Sequence, residues 1–70
     1  MQAAESANDF IHKMGIAQKE TGEVIYWLEL LNATEYLNEK EFQSIISDAN
    51  ELLKIIRSII LSTKQNLKKT

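Results

Sequence analysis

The chain predicts an all-α fold, an antiparallel two-helix hairpin expected to complete a four-helix bundle by self-association. Three observations predict it. Ala7, Phe10, Met14, Ala17, Thr21, Val24, Leu28 and Leu31 follow one another at alternating steps of three and four, the spacing that lines one side of a helix. Phe42, Ile45, Ala49, Leu52, Ile56, Ile59 and Thr63 repeat that spacing in the second half, and Ile46, Leu53, Ile60 and Leu67 widen the stripe along one flank. The third observation is a lack: no proline interrupts either stripe and no cysteine offers a staple, so a chain of 70 residues with 44% apolar content must hold one small domain together by packing.

The first helix is expected over about residues 7–32. Ser6 or Asn8 is placed to cap it, and Asp9 falls in the opening turn, where negative charge meets the positive end of the helix dipole. Its end is weakly marked. The segment 33–38 loses the apolar period, and the two asparagines Asn32 and Asn38 bracket it, so the turn is placed there. Asn38 followed three residues later by Glu41 reads as a reciprocal capping pair, and the second helix follows over about residues 39–66. A link this short makes the two helices antiparallel neighbours.

The stripes are too wide for one partner helix. A seam of two positions in seven suits a two-stranded coil, whereas three in seven suits a bundle, in which each helix touches two others. Ile55 and Leu61 broaden the second helix further, and Ile11, Ile16, Ile25, Trp27 and Leu30 lie off the main stripe of the first. The expected core and interface residues are therefore Phe10, Met14, Val24, Ile25, Trp27, Leu28, Leu31, Phe42, Ile45, Ile46, Leu52, Leu53, Ile56, Ile59 and Ile60. Ordering the chain costs on the order of 100 kcal/mol, at about 1.5 kcal/mol per residue, and an isolated hairpin leaves half of each apolar face in water. Two copies closing into one bundle, a homodimer, is the most economical remedy.

Gly15 and Gly22, one heptad apart, share a side of the first helix. They mark either a close helix approach or a solvent-facing side where glycine is merely tolerated at about 1 kcal/mol each. Tyr26, Trp27, Tyr36 and Phe42 gather near the turn, where a packed plug is expected first and a partner-binding anchor second.

Charge is unevenly laid out beneath a net of -2. Acids outnumber bases up to residue 34, whereas Lys54, Arg57, Lys64, Lys68 and Lys69 follow residue 52 without an acid among them. Two readings stand. Cations near a helix C-terminus offset its negative dipole end, and the same cations form a docking patch for phosphates. The first residues lack a basic start leading into an apolar run, and no apolar stretch is long enough to span a bilayer, so a cytoplasmic location and no membrane partner are expected.

Chemistry is sparse. Asp9 and His12 have the carboxylate-x-x-histidine spacing of bundle metal sites, but no second such element follows and His12 falls opposite the Phe10 and Met14 stripe, where a solvated histidine is expected. Glu20 and Glu23 near Trp27 are expected on a solvated flank. Ser44, Ser47, Ser58 and Ser62 fall in regular helix, without the strained turn a nucleophile needs, and no glycine-rich strand-to-helix loop cradles a phosphate. Asn32, Ala33 and Thr34 form a glycosylation triplet that no secretory signal supports. No catalytic residue, metal ligand or cofactor is expected, and the chain is read as non-enzymatic.

DFIHKMGIAQKE and the closing YWLELL of the first helix, with EFQSIISDANELLKIIRSIILSTKQNL after the link, resemble the bacterial four-helix-bundle family first described from intervening sequences of 23S ribosomal RNA genes. The resemblance runs from about Ala4 to Leu67 and is to the C-terminal half of the family pattern, two preceding helices having no counterpart here. A piece of a longer protein, a shortened product and a natural half-size version that recovers four helices by pairing all fit that pattern. The resemblance implies an all-α bundle, self-association into ring-like oligomers and no established catalytic residue. One branch of the family serves diversity-generating retroelements as a basic accessory protein that engages nucleic acid. By that resemblance Lys54, Arg57, Lys64, Lys68 and Lys69 become candidate nucleic-acid contacts, although a net charge of -2 departs from a basic bundle.

Overall fold

The structure, a computed structural model, describes residues 3–69, and side chains over 6–68. It consists of α1 (Ala3–Ala33) and α2 (Glu39–Lys69), packed antiparallel along their length. The expected hairpin is borne out, with both helices longer than anticipated. α1 starts four residues ahead of the expected Ala7, which places Ser6 and Asn8 inside the helix rather than at its cap. Asp9 accordingly lies beyond the first turn and pairs with Lys13 at 2.9 Å across one turn of exposed surface.

The turn is built from two caps. At the end of α1 the N–H of Tyr36 donates to the carbonyl of Leu31 at 2.9 Å and the N–H of Glu35 donates to Asn32 at 3.1 Å, the two bonds of a Schellman motif. That motif requires a left-handed residue, and Glu35 supplies it with φ of 66° where glycine would be the unstrained choice. The absence of glycine is why the end of α1 is faint in the sequence. α2 opens on the reciprocal box expected of Asn38 and Glu41: the N–H of Glu41 donates to Asn38 Oδ1 at 2.8 Å, and the N–H of Asn38 donates to Glu41 Oε1 at 3.3 Å. Glu39 and Glu41 also place negative charge in the first turn of α2.

Each helix packs on the other through two columns of its heptad. In α1 these are Ala7, Met14, Thr21 and Leu28 with Ile11, Gln18, Ile25 and Asn32; in α2 they are Phe42, Ala49, Ile56 and Thr63 with Ile46, Leu53, Ile60 and Leu67. All sixteen are buried or half-buried, and Leu28 and Ile56, 9% and 5% exposed, are the centre of the core. Thr21 and Thr63 hold equivalent places and settle their hydroxyls internally, each donating to the carbonyl four residues earlier at 2.8 Å.

The covered stripes depart from the expected ones in both helices: in α2 Ile45 and Leu52, read as seam positions, are exposed, while Ile46, Leu53, Ile60 and Leu67, read as a flank, are half-buried. In α1 Phe10, Val24 and Leu31, read as seam positions, are exposed, while Ile11 and Ile25, read as lying off the seam, face the core side. Spacing cannot separate these columns, because positions three and four after a shared column both produce alternating steps of three and four. The turn decides between them by the side on which it lays α2. The choice has a cost in apolar contact, since the covered column of α1 contains Gln18 and Asn32 and the uncovered one is Phe10, Ala17, Val24 and Leu31.

Candidate functional site

At about 100° per residue, the column three after the shared one lies roughly 60° to one side of it, and the column four after lies roughly 40° to the other. Reversal of direction between α1 and α2 then brings both uncovered columns to the same side of the hairpin. One continuous apolar face results. It runs from Leu31 and Ile45 near the turn, through Val24 and Leu52, to Phe10 and Ile59 at the open end. Phe10 and Leu52 are 43% and 50% exposed, whereas Ile59 is half-buried. Trp27 and Ile55 extend the face at its rims, Trp27 being 58% exposed.

Two magnitudes show how far the rod departs from a compact monomer. The accessible surface is 5576 Å², against about 4,500 Å² for a compact monomer of this mass. The radius of gyration is 15.9 Å, against about 11 Å for a compact chain of this length. The surplus of about 1,100 Å² is comparable with the roughly 800 Å² that each partner buries in a standard protein interface. Apolar patches beyond a few hundred Å² are uncommon on monomers and mark interaction surfaces.

The aromatic plug expected at the turn does not form. Phe42 is half-buried in the core, but Tyr26, Trp27 and Tyr36 are exposed, Tyr36 to 81%. Tyr26 and Trp27 meet edge to face with ring centroids 5.5 Å apart. The short turn explains this: residues 34–38 close the chain without folding back over it, so no lid covers the rings.

The opposite side of the hairpin is polar. Gly15 and Gly22 belong to it, both are exposed, and a Cβ added to either would meet nothing within 4 Å. The close-approach reading of these glycines fails within the hairpin. Lys54, Arg57, Lys64 and Lys68 are exposed along one flank of α2 on that side, beside an open surface hollow lined by Asn50, Leu53, Lys54, Arg57, Ser58 and Leu61. The side chain of Lys69 lies outside the described residues.

Of the weak chemical candidates, His12 is exposed and Asp9 is engaged by Lys13. Among the described residues no group of three His, Cys, Asp or Glu side chains converges on a metal-sized site. Glu20 and Glu23 are exposed, and Ser44, Ser47, Ser58 and Ser62 lie on the outside of α2. No helix of the described residues is long and apolar enough to cross a membrane.

The fold is thus all-α, a long antiparallel hairpin with a thin core and one open apolar face. Residues 2–58 match the 23S rRNA-intervening sequence protein family. The chain belongs to that family. The matched span begins two residues before the expected Ala4 and stops nine short of Leu67, and it gives no support to a placement in the C-terminal half of the family pattern. Neither a curated protein nor a solved structure matches the chain.

Proposed function

We propose that this protein is a non-enzymatic, cytoplasmic interaction module that works by self-association, two hairpins joining their apolar faces to make one four-helix bundle. The observation that carries this reading is the position of the open columns: Phe10, Val24 and Leu31 fall on the same side as Ile45 and Leu52. Apolar surface on opposite sides would call for separate partners, whereas surface on one side is covered by one partner of the same shape. Its mechanism is burial, at about 25 cal/mol per Å² of apolar area withdrawn from water.

Light scattering over a dilution series, with circular dichroism on the same samples, tests this directly. A helical species of at least twice the 8.0 kDa chain mass is expected, dissociating on dilution with loss of helix. A fully helical monomer at every concentration would overturn the reading.

A second reading is favoured by one observation, the flank of Lys54, Arg57, Lys64 and Lys68 on the side away from the apolar face. A bundle closed on its apolar side keeps this stripe free for a polyanion such as RNA or DNA. Binding would then weaken steeply with salt, and replacing these four cations with glutamine would abolish it. Binding that is absent, or indifferent to salt, would remove this reading.

A further inference from the structure

Charge is polarised along the hairpin. The half nearer the turn, residues 20–51, holds Glu20, Glu23, Glu29, Glu35, Glu39, Glu41, Asp48 and Glu51 against Lys40 alone, a net of -7. The half at the open end holds Lys13, Lys19, Lys54, Arg57, Lys64, Lys68 and Lys69 against Glu5 and Asp9, a net of +5. The molecule extends 50 Å by 15 Å by 13 Å, so these opposite charges sit at the two ends of a rod.

Two hairpins can join their apolar faces about a twofold axis in two ways. An axis along the rod sets turn beside turn and superimposes acid on acid. An axis across the rod sets the turn of each copy over the open end of the other. Packed helices lie about 8–10 Å apart, close to the Debye length of about 8–10 Å in ordinary salt, so charges bordering the joined faces are only partly screened from one another, whereas Lys54, Arg57, Lys64 and Lys68 on the far side act at longer range. We propose that the second copy docks antiparallel, turn over open end, with α1 stacked on α1 and α2 on α2.

The inference rests on the self-association proposed above and adds its geometry. Charges bordering the apolar face have the same polarity as the whole. Glu20, Glu41 and Asp48 border it in the turn half, and Lys13 borders it in the open half, by heptad position. With α1 centred near residue 18, an antiparallel α1 pair sets Lys13 of one copy beside Glu20 and Glu23 of the other. The axis across the rod then passes near Ala17, whose small side chain permits close approach of the two α1 helices.

The chain has no cysteine, so a single introduced thiol carries a spin label at one place. Tyr36→Cys marks the turn and Gln65→Cys the open end, both at exposed positions. In associated Tyr36→Cys protein, dipolar spectroscopy should find the two labels separated by most of the 50 Å length. A mixture of the two labelled variants should show a new separation within roughly 20 Å, the scale of neighbouring helices plus labels. A short distance between two Tyr36→Cys labels would overturn the antiparallel arrangement while leaving self-association intact. A monomer by light scattering at every concentration would overturn both.

Discussion

The two sides of α2 are composed almost alike and are used differently. Its covered column, Ile46, Leu53, Ile60 and Leu67, is matched by an uncovered one, Ile45, Leu52, Ile59 and Asn66. Around α1 the contrast is inverted, for the more apolar column, Phe10, Ala17, Val24 and Leu31, is the one left open. A hairpin optimised to stand alone would bury that column and expose Gln18 and Asn32. The difference teaches that the seam between the two helices takes the less apolar column of α1 and that the hairpin leaves the more apolar one open.

Substitution at the two faces separates these roles. Ile56→Asp, at the most buried position of the seam, introduces an unpaired charge where little water reaches, and a destabilisation of about 4 kcal/mol is expected. Circular dichroism should report loss of helix at every concentration; retained helix would mean that the seam is not the folding core. Leu52→Asp changes a half-exposed side chain on the open face. Here the association constant should fall by two orders of magnitude or more, the equivalent of about 3 kcal/mol. Helix should be lost with it in dilute samples, and undiminished self-association would refute the importance of the open face.

The polar side sharpens the comparison from the opposite direction. Gly15→Ala and Gly22→Ala meet no atom in the hairpin, and each should stabilise by about 1 kcal/mol through helix propensity alone. Chemical denaturation measures this. A loss of stability in the assembled protein would reveal a backbone approach on that side, making it a second interface. The smallest effect concerns the turn: Asn38→Ala removes the side-chain acceptor for the N–H of Glu41 and should cost roughly 1 kcal/mol or slightly less at this exposed cap, by the same measurement. Because the substitution leaves the apolar side chains of both faces in place, it should lower stability without changing self-association.

Much of this was legible in the residues. The alternating steps of three and four give two helices, the break in period at 33–38 gives the turn, and Asn38 with Glu41 gives the start of α2 to the residue. The end of α1 was faint because Glu35 takes a left-handed conformation that sequence ordinarily signals with glycine. The start was misplaced because Ser6 and Asn8 look like caps, while the residues before them are good enough helix formers to carry α1 back to Ala3. Exposure of Tyr26, Trp27 and Tyr36 was hidden for a different reason, since nearness in sequence to a turn does not say whether the turn folds over them.

By itself the sequence determined the class, the number of helices, their antiparallel order and a surplus of apolar surface, because each depends on local periodicity and link length. Only the tertiary structure decided which column of α1 is covered. Two columns flank a shared one with equivalent spacing, and the side on which the Leu31 to Asn38 turn lays α2 selects between them. That selection sets Phe10, Val24 and Leu31 beside Ile45 and Leu52, and so turns two amphipathic helices into a molecule with one open face. The physical reason is that helix periodicity records the angle of a side chain about its own axis, whereas a surface depends on how two axes are placed against one another.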